Sequence, residues 1–257
     1  MNPPLELHIT AITHRGCVRE HNEDAIAVAN WVCAGSSLDA PRCSVETLTS
    51  APMLCLVADG MGGHRAGEVA SRCVAERLLA GGADLIDEKS MATLLCSVND
   101  GLYDIMARDP ALRGMGSTAA GIVVTTDVVI FFNVGDSRVY REHDGCLRQL
   151  STDDRPGVRP ARASLAPEPR SAAITQALGG APSHVAIAPH VGWEKAKPGA
   201  CYLLCTDGLS DFVDVDAMET CLSLGDPEAV AALRDRAFEM GGEDNVSVVI
   251  VRIFATQ

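Results

Sequence analysis

The sequence predicts an α+β fold in which two packed antiparallel β-sheets are flanked by antiparallel helix pairs. Three observations carry that expectation. Strand-like runs cluster and helix-like runs cluster, without the regular alternation that builds a doubly wound parallel sheet. Residues 117–143 are a succession of short β-rich runs broken by turn signals. Helical periodicity occurs in consecutive segments, which favours antiparallel neighbours. The 257 residues suit one domain, spanning 1–257, that buries roughly 70% of its chain surface.

Leu5 to Ile12 alternates in part, Asp24 to Asn30 is small and apolar, and Met53 to Ala58 is an apolar run ending at Asp59, so each reads as a strand. Between the last two, Ala34 to Ala51 reads as a loop. A glycine-rich turn, Asp59-Gly60-Met61-Gly62-Gly63-His64, leads into Gly67 to Leu79, where Val69, Val74 and Leu78 fall at helical spacing. Ser90 to Arg108 repeats the pattern with Met91, Leu94, Leu95, Val98, Leu102, Ile105 and Met106. Ser117 to Thr125, Val128 to Gly135 and Ser137 to His143 follow as an antiparallel meander closed by Asp144-Gly145. Four prolines and four arginines between Arg155 and Arg170 oppose helix and strand alike, which makes that stretch an exposed loop or flap. Strands resume at Val185 to Val191 and Ala200 to Thr206, helices at Val215 to Leu224 and Pro227 to Met240, and Val246 to Phe254 closes the chain as a strand.

Composition narrows the function classes. With 34 acidic and 21 basic residues the net charge is −13, which disfavours attraction to phosphate backbones or anionic membranes, so neither nucleic acid nor membrane is an expected partner. No basic segment followed by an apolar run opens the chain, and no stretch of about 18 apolar residues is present. The ten cysteines include no CxxC pair, which gives no sign of a zinc site. Most sit in apolar runs such as Met53-Leu54-Cys55-Leu56-Val57 and read as buried free thiols, which places the protein in a reducing cytoplasm. Gly60-x-Gly62-x-x-x-x-Gly67 has neither the GxGxxG spacing nor a Lys-Ser/Thr ending, so nucleotide-loop chemistry is not supported.

The chemistry lies in four acidic clusters, each beside a predicted strand: Asn22-Glu23-Asp24, Asp59-Gly60, Thr206-Asp207-Gly208 and Glu243-Asp244-Asn245. Carboxylates gathered at strand ends repel one another unless cations or protons neutralise them, and hard divalent ions prefer oxygen ligands. Arg19 precedes Glu23 by four residues. Its planar fork suits phosphate oxygens, although such a pair alone is commonly a surface salt bridge. Asp136, between two β-runs, reads as a turn residue, and Asp211 stays open.

Gly16-x-Val18-Arg19-x-x-Asn22-Glu23-Asp24, Val57-Ala58-Asp59-Gly60-Met61-Gly62-Gly63-His64, Gly67-Glu68-Val69-Ala70-Ser71, Gly114-Met115-Gly116-Ser117-Thr118, Val134-Gly135-Asp136-Ser137-Arg138, Leu204-Cys205-Thr206-Asp207-Gly208-Leu209-Ser210-Asp211 and Asp244-Asn245-Val246-Ser247-Val248 occur in this order. Together they resemble the bacterial PPM (type 2C) metal-dependent serine/threonine protein phosphatases. The resemblance implies an αββα sandwich and two divalent metal ions, Mn or Mg, bridged by Asp59. Asp207 and Asp244 would complete one ion's protein ligands, Glu23 and the Gly60 carbonyl would serve the other, and Asp24 would stand behind them. Asp59 and Arg19 are the catalytic candidates, with Arg19 binding substrate phosphate. The implied partners are phosphoproteins, among them a cognate Ser/Thr kinase or a type VI secretion component, and the expected state is a monomer. A partner-switching regulatory phosphatase and a noncatalytic phosphoprotein-binding pseudophosphatase are the alternatives.

Two departures from the pattern stand out. Met61 occupies the place of a histidine that eukaryotic members offer as general acid. His64 does not inherit that role by position and reads as a loop histidine, which leaves leaving-group protonation to water. Arg113 stands where many bacterial members keep an aspartate for a third metal. A third metal is therefore doubtful, with Asp153, Asp207 and Asp109 as a weak substitute site. The flap is short beside the helical flap of relatives, which implies a more open site.

Overall fold

A computed structural model describes residues 5–48, 50–62, 65–82, 85–156 and 173–256. His64, and the Arg155 to Arg170 flap apart from Arg155 and Pro156, lie outside the described residues.

The strands are β1 (Leu5–His14), β2 (Ala25–Val28), β3 (Trp31–Ala34), β4 (Arg42–Leu48), β5 (Met53–Ala58) and β6 (Gly60–Met61), followed by helices α1 (Arg65–Gly81) and α2 (Glu88–Arg108). A 3-10 turn, Pro110–Leu112, precedes β7 (Gly116–Ser117), β8 (Ala119–Val124), β9 (Val128–Val134), β10 (Arg138–His143), β11 (Cys146–Gln149), β12 (Leu178–Gly179), β13 (His190–Lys195) and β14 (Cys201–Cys205). The chain ends with α3 (Asp207–Ser210), α4 (Val215–Leu222), α5 (Asp226–Glu239) and β15 (Val246–Ala255). Two six-stranded sheets, ordered β11-β10-β14-β15-β1-β4 and β13-β9-β8-β5-β2-β3, are accompanied by a small sheet, β12-β7-β6. Among the described residues every strand pairing within them is antiparallel.

Side-chain alternation explains the layering. On β5, Cys55 and Val57 join Leu7, Ile9, Tyr202, Leu204, Val249 and Val251 between the two sheets. Leu54, Leu56 and Ala58 point the other way, against Val74 and Leu78 of α1 and Leu95 and Leu102 of α2. On β15, Val246, Val248 and Ile250 instead face Met218 and Leu222 of α4 and Leu233 of α5. Both sheets are thus apolar on both faces, which explains why their central strands read as continuous apolar runs. α2 starts on a reciprocal cap in which Asp87 accepts from the Ser90 backbone and Ser90 answers.

Several expectations are corrected. Ala34 to Ala51 is not all loop, because β4 lies within it and pairs with β1 from Leu48 opposite Leu5 to Arg42 opposite Ala11. As an edge strand it is held by backbone bonds, and Arg42, Cys43, Ser44 and Glu46 stay exposed or half-exposed, so apolar alternation is weak. The Asp24 to Asn30 run is a shorter strand that turns at Ala29, with φ +53°, into β3. The meander is broken: β8 pairs with β9, but β10 pairs with β14 and β11 in the other sheet. Gly135, with φ +97°, Asp136 and Ser137 carry the chain across. The strand expected at Val185 to Val191 runs instead over His190–Lys195, where β9 sets its register. Residues just before it are held by side chains, Asn99 donating to the Val185 carbonyl and Gln176 accepting from the Ala188 backbone. Of the ten thiols, all free, only Cys55, Cys201, Cys205 and Cys221 are buried, and Cys17, Cys43 and Cys146 are exposed. Arg155, expected in an exposed loop, has a side chain only 9% accessible.

Candidate metal centre

Sheet topology brings the four acidic clusters to one rim. Glu23 and Asp24 end the β1–β2 connection, Asp59 and Gly60 join β5 to β6, Asp207 opens α3 two residues after the end of β14, and Asp244 stands two residues before the start of β15. Since β14, β15 and β1 are neighbours in one sheet, and β5 and β2 in the other, these ends converge between the layers. Arg19, Glu23, Asp59, Gly60, Asp207 and Asp244 line a single cavity of about 770 Å³, together with Met61, Asp136 and Asn245. Asp24 does not line it and lies beneath, 1% exposed.

Each predicted residue is held by polar neighbours. The Asp59 backbone N–H donates to Thr118 Oγ1 at 3.0 Å, and the Thr118 N–H returns a bond to the Asp59 carbonyl at 2.9 Å. Asn245 Oδ1 accepts from the Glu23 backbone at 2.7 Å while its Nδ2 donates to the carbonyls of Arg15 and His21, so one amide ties the Arg19 loop to the β15 turn. Ser71 of α1 donates to the Glu23 carbonyl at 2.5 Å. Gly60 has to be glycine here, because a Cβ would collide with the carbonyl oxygens of Gly67 and Glu23. Asn245, Thr118 and Ser71 were not singled out by sequence reasoning. Their only signal was a place inside or beside the quoted motifs.

The electrostatics follow from crowding. Burial raises the Asp59 carboxyl well above its usual range, and repulsion from Asp207, Asp24, Asp244 and Asp136 adds to it. Burial likewise pushes Asp207 up to about 7, with Asp136, Asp244 and Asp211 adding and Arg155 opposing. Asp24 is also raised to about 7 by burial, against the hydroxyls of Ser247 and Thr206, which donate to its Oδ2 at 2.6 and 2.9 Å. Its Oδ1 is buried with no hydrogen-bond partner. An all-oxygen donor set that cannot comfortably ionise fits hard divalent cations. Among the described residues no three His, Cys, Asp or Glu side chains gather closely enough to enclose an ion, so the carboxylates line a cavity rather than form a cage.

Arg19 is placed at the rim, its Nη2 donating to Asp244 Oδ2 at 2.8 Å with both side chains partly exposed. That bond, more than its Coulomb attraction to Asp244, Asp59 and Glu23, raises the Arg19 pKa. An exposed pair of this kind is worth about 0–1 kcal/mol, so the guanidinium exchanges partners cheaply. Asp136 does occupy a turn, as expected, but it is buried and belongs to the cavity wall. The weak site suggested for Asp153, Asp207 and Asp109 is not assembled. Asp153 is gripped by Arg138 through Nε and Nη2, and Asp109 caps the 3-10 turn by accepting from the Ala111 backbone.

Comparison with known proteins agrees with this geometry. Residues 39–251 match the protein phosphatase 2C family. The chain is 33% identical to the serine/threonine protein phosphatase PstP of Mycobacterium tuberculosis over 97% of its own length but only 45% of that protein. It is 31% identical to the serine/threonine phosphatase stp of Listeria monocytogenes, covering 98% of both chains. The catalytic domain of PstP in complex with two manganese ions superposes with a TM-score of 0.74 at 30% identity, over 97% of this chain and 99% of that one. PppA, a regulatory component of the type VI secretion system in Pseudomonas aeruginosa, superposes with a TM-score of 0.73 at 26% identity, over 96% and 98%. The chain belongs to the protein phosphatase 2C family.

Proposed function

We propose that this chain is a metal-dependent protein serine/threonine phosphatase. The observation that carries the reading is the convergence of Glu23, Asp59, Gly60, Asp207 and Asp244 on one cavity that Arg19 also lines. Glu23, Asp59, Gly60, Asp207 and Asp244 would hold two divalent ions, Mn or Mg, and such ions supply Lewis acidity and lower the pKa of water for attack at phosphorus. Asp59, within electrostatic reach of Asp207, Asp24, Asp244 and Asp136, would be shared between the two ions. Arg19 leaves Asp244 for the nonbridging oxygens of the phosphoryl group, where its fork offsets charge as the ester oxygen departs. Asn245 and Ser71 keep Glu23 in place by gripping its backbone, and Asp24 keeps Thr206 and Ser247 oriented under the floor of the site. Met61 carries no titratable group, so protonation of the departing oxygen is left to water.

The manganese-loaded PstP domain and the full-length match to stp support this reading. The substrates that follow are proteins carrying phosphoserine or phosphothreonine. The likeness to PppA supports a finer assignment, in which the partner is a type VI secretion component or its cognate kinase. Phosphoproteomics after deletion of this protein tests that assignment. Neither the pseudophosphatase nor the partner-switching alternative has an observation in its favour. Hydrolysis of a phosphopeptide with added Mn should be abolished by chelator and by Asp59→Asn or Asp207→Asn, with far-UV circular dichroism unchanged. Wild-type rates in either folded variant would refute the site.

A further inference from the structure

Behind the cavity wall lies a charged cluster of which the proposed function uses only Asp207. The Arg155 guanidinium donates from Nε to Asp136 Oδ2 at 2.6 Å and from Nη1 and Nη2 to the two oxygens of Asp211 at 2.9 and 2.7 Å. Its Nη2 also lies 3.5 Å from Asp207 Oδ2. The three acids come from two places in the fold: Asp136 from the turn between β9 and β10, and Asp207 and Asp211 from the head and the C-terminal cap of α3. Asp136 is 4% accessible and Arg155 9%. This is a nearly enclosed cation among three carboxylates, and two of those carboxylates also line the cavity.

We propose that Arg155 is a fixed cation that positions Asp207 and fills the space among Asp136, Asp207 and Asp211, so that this acidic trio takes no divalent ion of its own. The inference rests on the two-metal reading above. Three carboxylates at such short range cannot all stay ionised without a counter-charge, and burial sharpens the penalty. A guanidinium supplies it permanently, because it does not deprotonate and is not removed by a chelator. The bidentate grip on Asp211 and the short bond to Asp136 anchor the fork in one orientation. The longer contact to Asp207 steadies that carboxylate while leaving it on the cavity wall. Arg155 therefore acts through Asp207 and is a positioning residue. Removing the guanidinium leaves three acids that had shared one counter-charge without it, and a hard divalent ion is the cation that oxygen donors take in its place.

The test counts ions. Mn²⁺ is titrated calorimetrically into the full chain as wild type, Arg155→Gln and Arg155→Lys, with folding checked by circular dichroism. Wild type should bind two ions per chain and Arg155→Gln three, with Arg155→Lys, which keeps a cation in place, returning to two. The double variant Arg155→Gln with Asp211→Asn should also lose the additional ion. A folded Arg155→Gln chain that still binds two, or a wild type that binds three, overturns the inference and leaves the two-metal reading standing. A wild type that binds none overturns both. Should Arg155→Gln not fold, Asp211→Asn serves instead: it releases the fork toward Asp207 and should weaken one of the two ions about tenfold, as loss of a ligand's outer partner does. An unchanged isotherm in that variant overturns the proposal.

Discussion

Replacing Asn245 by alanine should loosen the loop that carries both Arg19 and Glu23. The amide makes three hydrogen bonds across the site, accepting from Glu23 N at 2.7 Å and donating to Arg15 O at 3.0 Å and His21 O at 2.9 Å. Asn245 is 5% exposed, so water does not readily replace it. At about 1 kcal/mol net for each bond, the loss is about 3 kcal/mol. For a chain of this size about 2 °C of melting temperature corresponds to 1 kcal/mol, so the midpoint should fall by about 6 °C. The melt is followed by circular dichroism in chelator, which isolates the protein's own bonds. In a second measurement, Mn²⁺ affinity by calorimetry should fall about tenfold, because Glu23 loses the partner that fixes its backbone. A midpoint shift below about 2 °C together with an unchanged Mn²⁺ isotherm would show that the amide does not anchor the loop.

Three further outcomes follow from the same structure. Asp24 and Asp207, raised to about 7 in the folded state from an ordinary carboxylate value, keep their protons after the unfolded chain has lost them. The share of stability that these two groups contribute in chelator should therefore fall as pH rises from about 4 to about 7, by about 1.4 kcal/mol per pH unit for each group, and be gone above that; Asp24→Asn should remove one group's share of that slope, and denaturant melts showing an equal slope in both proteins would contradict the assignment. Gly60→Ala should cost at least about 2 kcal/mol in urea unfolding, since its Cβ meets the Gly67 and Glu23 carbonyls, and a neutral effect would mean that the wall of the site yields. Adding Mn²⁺ at a hundred times its dissociation constant should stabilise the fold by about 2.7 kcal/mol per ion, reversibly with chelator, and a melting curve indifferent to the metal would argue against binding.

Much of the layout could be read from local pattern. The Met53–Ala58 strand falls at its expected bounds, and both members of the first helix pair lie within a few residues of theirs, because periodicity and turn residues are properties of a short window. The regions that resisted depend on a partner elsewhere. β4 carries little apolar alternation and exists because β1 offers it a free edge. β10 resembles the third strand of a meander, yet its pairing with β14 is decided by which sheet has an open position. Glu23, Asp59, Asp207 and Asp244 could be picked out beforehand because each lies in a motif that the family resemblance marks, at the end of a predicted strand, and the structure gathers them on one cavity. Thr118, Ser71 and Asn245 were not, because hydroxyls and amides are common everywhere and only their contacts distinguish them.

Residue chemistry therefore belongs to the sequence alone: oxygen donors in four clusters, a guanidinium four residues from one of them, and a methionine where a proton donor could have stood. Pairing belongs to the tertiary structure. Arg19 meets Asp244 across 225 positions and Thr206 meets Asp24 across 182, while Arg155 leaves a proline-rich stretch that looked solvent-exposed to sit among three buried or half-buried acids. Charge interactions fall off with distance in space and are strengthened by burial. Neither quantity is written in the order of residues, so which acids face the open cavity and which hold an arginine is decided only when the two sheets close on each other.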